Sequence, residues 1–128
     1  MFTDIDNAIE HMVIVPEELL QYPERRQHWE MVLKEVWAKA EANPENERAF
    51  AACMRWAFMR HVLPSSPQTG IALEFLERHN IKDLAKKFAE QMIAALTSKE
   101  EVIRLLIDFF PERQWNKGCQ KYLTGRRA

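Results

Sequence analysis

Residues 45–63 read ENERAFAACMRWAFMRHVL, and this stretch decides the predicted fold. At about 100° per residue, it predicts one helix with apolar side chains on two opposite sides. A helix that is apolar on two sides usually packs between neighbours. We therefore expect it to be the central helix of an all-α fold. One side carries Phe50, Met54, Ala57 and His61, and the other carries Ala52, Trp56, Met59 and Leu63.

Prolines divide the rest of the chain into further helical segments, because proline is favoured in the first turn of a helix. The apolar spacing then predicts a single all-helical domain over residues 1–128, a compact bundle of six or seven helices with short turns marked by proline. Toward the N-terminus we expect Thr3–Val15, ended by Pro16, a turn over Glu17–Gln21, and a helix from Pro23 to about Ala42. Toward the C-terminus we expect Pro67–His79, Ile81–Leu96, Ser98–Phe110, Pro111 to about Leu123, and a frayed tail over about 124–128.

Local signals mark several boundaries. Asn80 fits a helix end, since Asn tolerates the left-handed conformation. Ser98 and Glu101 form the Ser-x-x-Glu capping pattern. The loop Pro64–Pro67 is the best candidate for a hinge. Two ion pairs at i,i+4 spacing are expected on the outer side of the Pro23 helix, Glu30–Lys34 and Glu35–Lys39.

Composition points to a cytoplasmic protein. Of the 128 residues 47% are hydrophobic, yet no stretch approaches the roughly 20 apolar residues of a membrane span. The acidic first ten residues lack the basic region of a signal peptide. Cys53 and Cys119 are too few for a disulfide scaffold, so we expect reduced thiols.

The charge is unevenly distributed. Residues 1–50 hold eleven acidic and five basic residues, whereas residues 51–128 hold eight acidic and thirteen basic residues. Such polarity can orient a protein on a charged partner. Lys82 and Lys86 lie among acidic residues, and ordinary helix ion pairs explain them.

We find no catalytic motif and expect no cofactor and no metal site. His11, His28, His61 and His79 lack the i+3 to i+5 pairing of helical metal sites. Phosphate-binding loops and dinucleotide fingerprints are absent from the sequence.

Arg55 and His61 form an Arg-x5-His arrangement within the central segment. It is similar to the loose Arg-x4–6-His signature of the HEPN ribonucleases. The resemblance implies a metal-independent ribonuclease in which the arginine steadies the phosphate and the histidine aids proton transfer on the 2′-OH. It covers seven residues, and Trp56 follows Arg55 where that family often has a polar residue.

The C-terminal segment carries the candidate binding residues. Three bases at i, i+4 and i+8 line one side of the predicted last helix, two more follow, and aromatic side chains lie largely on another side. Such a segment could contact nucleic acid or an acidic protein surface, or its bases could simply be solvated. The residues are Arg113, Lys117, Lys121, Arg126 and Arg127, with Trp115 and Tyr122 as the aromatic contacts.

Four tryptophans and seven phenylalanines are many for one small core. Aromatic residues beyond that need often end in interfaces, and Trp56 is the first candidate. Our leading hypothesis is a non-catalytic helical subunit or adaptor that binds a protein partner within a larger assembly. The first alternative is a nucleic-acid-binding subunit of a nucleoprotein complex that uses the basic C-terminal helix. The second alternative is the HEPN-like ribonuclease.

Overall fold

The structure, a computed structural model, describes the backbone of residues 2–40 and 45–111 and the side chains of residues 9–40 and 48–111. These residues form six α-helices and one short 3-10 turn, with no strand among them, which confirms the all-α prediction. The predicted helix after Pro111 and the tail at 124–128 lie outside the described residues. The helices are α1 (Phe2–Gln21), α2 (Arg26–Ala38), α3 (Glu45–Val62), α4 (Gln68–Arg78), α5 (Lys82–Ala95) and α6 (Lys99–Phe109), and the 3-10 turn is Pro23–Arg25.

The predicted break at Pro16 is wrong, because α1 continues through that proline. Proline removes one backbone donor and crowds the preceding turn, which usually bends or ends a helix. Here Met12 and Val15, before the proline, are fully buried, and Leu19, after it, packs against the same core. Burial of both halves against one surface outweighs the lost hydrogen bond.

The start of α2 also differs from the prediction. Pro23 opens a 3-10 turn, and the α-helix begins only at Arg26. Of the two predicted ion pairs, Glu35 does meet Lys39, at 3.9 Å. Glu30 pairs instead with Arg26, which lies one helical turn earlier on α2, at 3.5 Å.

The predicted end of α4 is confirmed at Asn80. Its φ of 59° lies in the left-handed region. The Ile81 amide donates to the Leu76 carbonyl at 2.8 Å, and the Asn80 amide donates to the Glu77 carbonyl at 3.1 Å. This pair of bonds is a Schellman motif, and buried Ile81 and Leu76 supply its apolar contact.

The predicted cap of α6 is also confirmed. The Ser98 hydroxyl accepts a hydrogen bond from the Glu101 amide at 3.3 Å, and the Ser98 carbonyl accepts one from Val102 at 3.0 Å. The capping serine therefore satisfies a backbone donor that the first helical turn leaves free.

The Pro64–Pro67 loop is tied to the fold, which argues against a hinge. The Ser66 side chain donates to Oε1 of Glu30 at 2.6 Å and accepts from the Gln68 amide at 3.1 Å. The Ser66 carbonyl also accepts from the Thr69 hydroxyl at 2.8 Å. Ser66 is only 3% exposed, so these bonds are largely shielded from water.

The core confirms the two-sided pattern of α3. This helix packs against α5, α1 and α4. Met54 and Ala57 are buried on one side, and Met59 and Leu63 on the other. Trp56 is 4% exposed and belongs to the same core, so its side chain is packed within the fold and is not a freely exposed aromatic residue.

Candidate interaction surfaces

A line of exposed side chains on α1 is the first candidate surface. Glu10, Val13, Glu17 and Leu20 are spaced by three and four residues and therefore share one side of the helix. Val13 is 51% exposed and Leu20 is 83% exposed. We call these four residues the α1 strip. Exposed leucine and valine flanked by carboxylates form an apolar ridge with an acidic edge.

Several described side chains on other sides of α1 are packed or hydrogen-bonded, and they anchor the α1 strip to the fold. Met12 and Val15 face the core. On another side, Nε1 of Trp29 donates to Oε2 of Glu18 at 3.1 Å, and Nε of Arg25 donates to the same oxygen at 3.0 Å. The hydrogen bond from Trp29, and then that from Arg25, lowers the pKa of the Glu18 carboxyl below its usual 4.5.

A cleft between α3, α4 and α5 is the second candidate surface. Its volume is about 460 Å³, within the range of ligand and side-chain pockets. Both apolar and charged side chains line it. We call it the α3–α5 cleft. The walls include Trp56, Leu73 and Ile93, and the charged groups are Arg60, Lys86 and Glu90.

The two cations of the α3–α5 cleft differ in how they are held. Nη1 of Arg60 donates to the Pro64 carbonyl at 2.8 Å, and its guanidinium carbon lies 5.7 Å from the centre of the Trp56 ring. These contacts fix the arginine along the tryptophan wall. Lys86 forms no ion pair with any described residue. The cleft therefore offers one positioned cation and one available cation beside apolar walls.

Two further grooves are less informative. One, of about 520 Å³, lies between α5 and α6 and mixes Arg104 with Glu101 and Asp108. The other, of about 380 Å³, lies between α2 and α3 and includes the Arg55 side chain. Burial lowers the pKa of the Arg55 guanidinium, since desolvation disfavours the charge.

Arg55 and His61 do not line the same one of the three grooves given above, all formed by described residues. Six residues along a straight helix place them about 120° apart around its axis. Arg55 lines the α2–α3 groove, and His61 does not. The ribonuclease hypothesis therefore gains no shared phosphate-binding site from the described residues.

Two histidines and the described cysteine lie where they contribute to packing. The rings of His11 and His28 lie 5.8 and 5.2 Å from that of Trp29. Cys53 is fully buried, and this burial raises the pKa of its thiol to about 12, which disfavours the reactive thiolate form. Among residues 2–40 and 45–111, no three histidine, cysteine or acidic side chains are grouped as a metal site would need.

The binding residues predicted from the C-terminal sequence lie outside the described residues, so they stay a prediction. They are Arg113, Trp115, Lys117, Lys121, Tyr122, Arg126 and Arg127. Sequence reasoning missed both described surfaces. The α1 strip had a visible signal, the seven-residue spacing of Val13 and Leu20, whereas the α3–α5 cleft joins three helices and has no local signature.

Comparison with known proteins found no matching family model, no matching curated protein and no matching solved structure. None of the helices described here is long and apolar enough to cross a membrane.

Proposed function

We propose that this protein is a non-catalytic helical subunit or adaptor that binds another protein through the α1 strip. The observation that carries the proposal is Leu20, a large apolar side chain left 83% exposed on a well-anchored helix. Complete burial of a leucine side chain is worth about 1.5–3 kcal/mol, so covering this residue would contribute usefully to binding. We further propose that it works in the cytoplasm.

The chemistry of the α1 strip specifies the partner surface. The α1 sequence holds five acidic residues and neither lysine nor arginine. Val13 and Leu20 would pack against apolar side chains, while Glu10 and Glu17 would favour lysine or arginine at the edge of the contact. An apolar surface bordered by basic residues meets both requirements.

Site-specific crosslinking in the producing cells tests this proposal. A photoreactive amino acid in place of Leu20 should give a discrete crosslinked protein species, because the partner would lie directly over this position. The matched control places the same group at Gln27, which is exposed on α2. Gln27 lies two residues before Trp29 and therefore points away from the α1 contact.

A second substitution makes the result specific. Glu17→Lys should weaken the crosslink from position 20, since it reverses charge at the edge of the strip. Equal crosslinking from positions 20 and 27, or no discrete species from position 20, would contradict the proposal.

Nucleic-acid binding is the second candidate, and the uneven charge favours it. Five basic residues and no acidic residue follow Glu112. Fluorescence anisotropy with single-stranded and duplex RNA and DNA at two salt concentrations tests it. Binding that falls with salt and is lost in a variant neutralised at Arg113, Lys117 and Lys121 would support it, and no binding at low salt would discard it.

The same RNA samples test the ribonuclease hypothesis. Shortening of labelled RNA that disappears in His61→Ala, with the helical circular dichroism signal unchanged, would support catalysis. RNA that stays at full length with the wild-type protein would contradict the ribonuclease hypothesis.

A further inference from the structure

We infer that the α1 strip of one molecule docks in the α3–α5 cleft of a second copy, so that the chain associates head to tail. This inference rests on the proposed function and names its partner. It joins two different surfaces of the same chain, both formed by described residues.

The two surfaces have complementary charge. The α1 strip presents the carboxylates of Glu10 and Glu17. The α3–α5 cleft presents Arg60 and Lys86 against the single acid Glu90. Because Lys86 has no ion-pair partner among the described residues, a carboxylate from a second copy would not displace an existing described ion pair.

The two surfaces also match in apolar character. Leu20 projects from α1 as the most exposed of the large apolar side chains described. Leu73 and Ile93, which line the α3–α5 cleft and are half-buried, are the apolar side chains that Leu20 would pack against, and the volume of about 460 Å³ admits one leucine side chain with a neighbouring carboxylate. With Leu20 in the cleft and Glu17 beside Arg60 and Lys86, the apolar contact and the charge contact would form together.

The geometry makes the contact heterologous, since α1 and the cleft are different patches. A symmetric contact between two α1 strips would bring four carboxylates together with no lysine or arginine from α1 to balance them, which disfavours it. The small area of one helix face implies a weak association, with a dissociation constant in the micromolar to millimolar range.

Sedimentation velocity of the purified full chain over a range of concentrations tests this inference with paired charge reversals. Glu17→Lys alone and Lys86→Glu alone should each weaken self-association by about three- to tenfold. An equimolar mixture of the two variants should restore it, because lysine at position 17 then meets glutamate at position 86, and the other pairing is wild type. Higher salt should weaken the wild-type association.

Matched controls use charged residues outside both surfaces. Glu74→Lys on α4 and Lys87→Glu on α5 change the net charge by the same amounts, and they should leave self-association close to wild type. Unchanged melting temperatures for all four variants would show that the fold is intact.

Three results would overturn the inference. The first is a wild-type chain that stays monomeric at every concentration. The second is a mixture that fails to restore association. The third is stronger association in Glu17→Lys alone, which would point to a symmetric α1 contact. Crosslinking of position 20 to a different protein, together with a monomeric purified chain, would overturn this inference and leave the proposed function standing.

Discussion

α3 and α1 carry similar apolar patterns yet end in different surroundings. Both have apolar side chains on more than one side. In α3 these sides are covered by other helices, and Trp56 and Met59 are almost inaccessible to water. In α1 one side is buried at Met12, while Leu20 on another side stays exposed. Apolar spacing therefore indicates which side of a helix favours burial. The position of the helix in the fold decides whether other described residues pack against that side.

The substitution with the largest expected effect on the free energy of unfolding is at Met59 on α3. This side chain is fully buried on α3. Met59→Ala should lower the free energy of unfolding by about 2–5 kcal/mol, because it removes buried apolar surface and leaves a cavity. Urea unfolding followed by circular dichroism measures the change. A loss below about 1 kcal/mol would show that α3 is not the packed centre of the core.

Ser66→Ala should have the next largest effect. It removes the donor to Glu30 and the acceptor for the Gln68 amide at a site that is 3% exposed. The Glu30 carboxylate and the Gln68 amide are part-buried, so the loss of these hydrogen bonds should cost about 1–3 kcal/mol in unfolding free energy. Ser66→Thr keeps the hydroxyl and serves as the control. Unchanged stability in Ser66→Ala would restore the hinge interpretation of the Pro64–Pro67 loop.

Glu18 tests how firmly α1 is attached to α2. Its pKa is lowered in the folded state, so the carboxylate form stabilises the fold above the ordinary value of 4.5, and this contribution is lost as the pH falls through the folded pKa. The melting temperature of Glu18→Gln should therefore lie below that of wild type at pH 7, and the two should converge as the pH falls through the lowered folded pKa of Glu18. A difference in melting temperature that does not change with pH would contradict a stabilising role for the hydrogen-bonded Glu18 carboxylate.

The smallest expected effect on stability is at Leu20. Because its side chain is mostly exposed, Leu20→Ala should change the unfolding free energy by less than about 0.5 kcal/mol. Urea unfolding of Leu20→Ala and Met59→Ala under the same conditions compares the two unfolding free energies directly. A loss of about 2 kcal/mol or more would mean that Leu20 is covered within its own chain.

Much of the fold follows from local chemistry. The end at Asn80 and the cap at Ser98 were predictable because each depends on a few neighbouring residues. The continuation of α1 through Pro16 was not, since it depends on burial against distant helices. The burial of Trp56 was not predicted for the same reason, because its cover comes from other helices packed on α3.

The candidate surfaces were less predictable than the fold. Arg60 and Lys86 are 26 positions apart in the sequence, and only the packing of α3 beside α5 brings them to one cleft. Sequence reasoning treated Lys86 as part of an ordinary helix ion pair, whereas no such pair forms among the described residues. The basic residues beginning at Arg113 stay a prediction.

The exposed α1 strip as a binding surface is the central claim, and the size of the protein in cell extract tests it most directly. Gel filtration with immunodetection would compare wild type with Leu20→Asp. We predict that wild type elutes as a species larger than its 15.1 kDa chain, and that Leu20→Asp shifts toward the monomer with its melting temperature unchanged. Identical elution of the two proteins, whether both as monomers or both in the same complex, would contradict the claim.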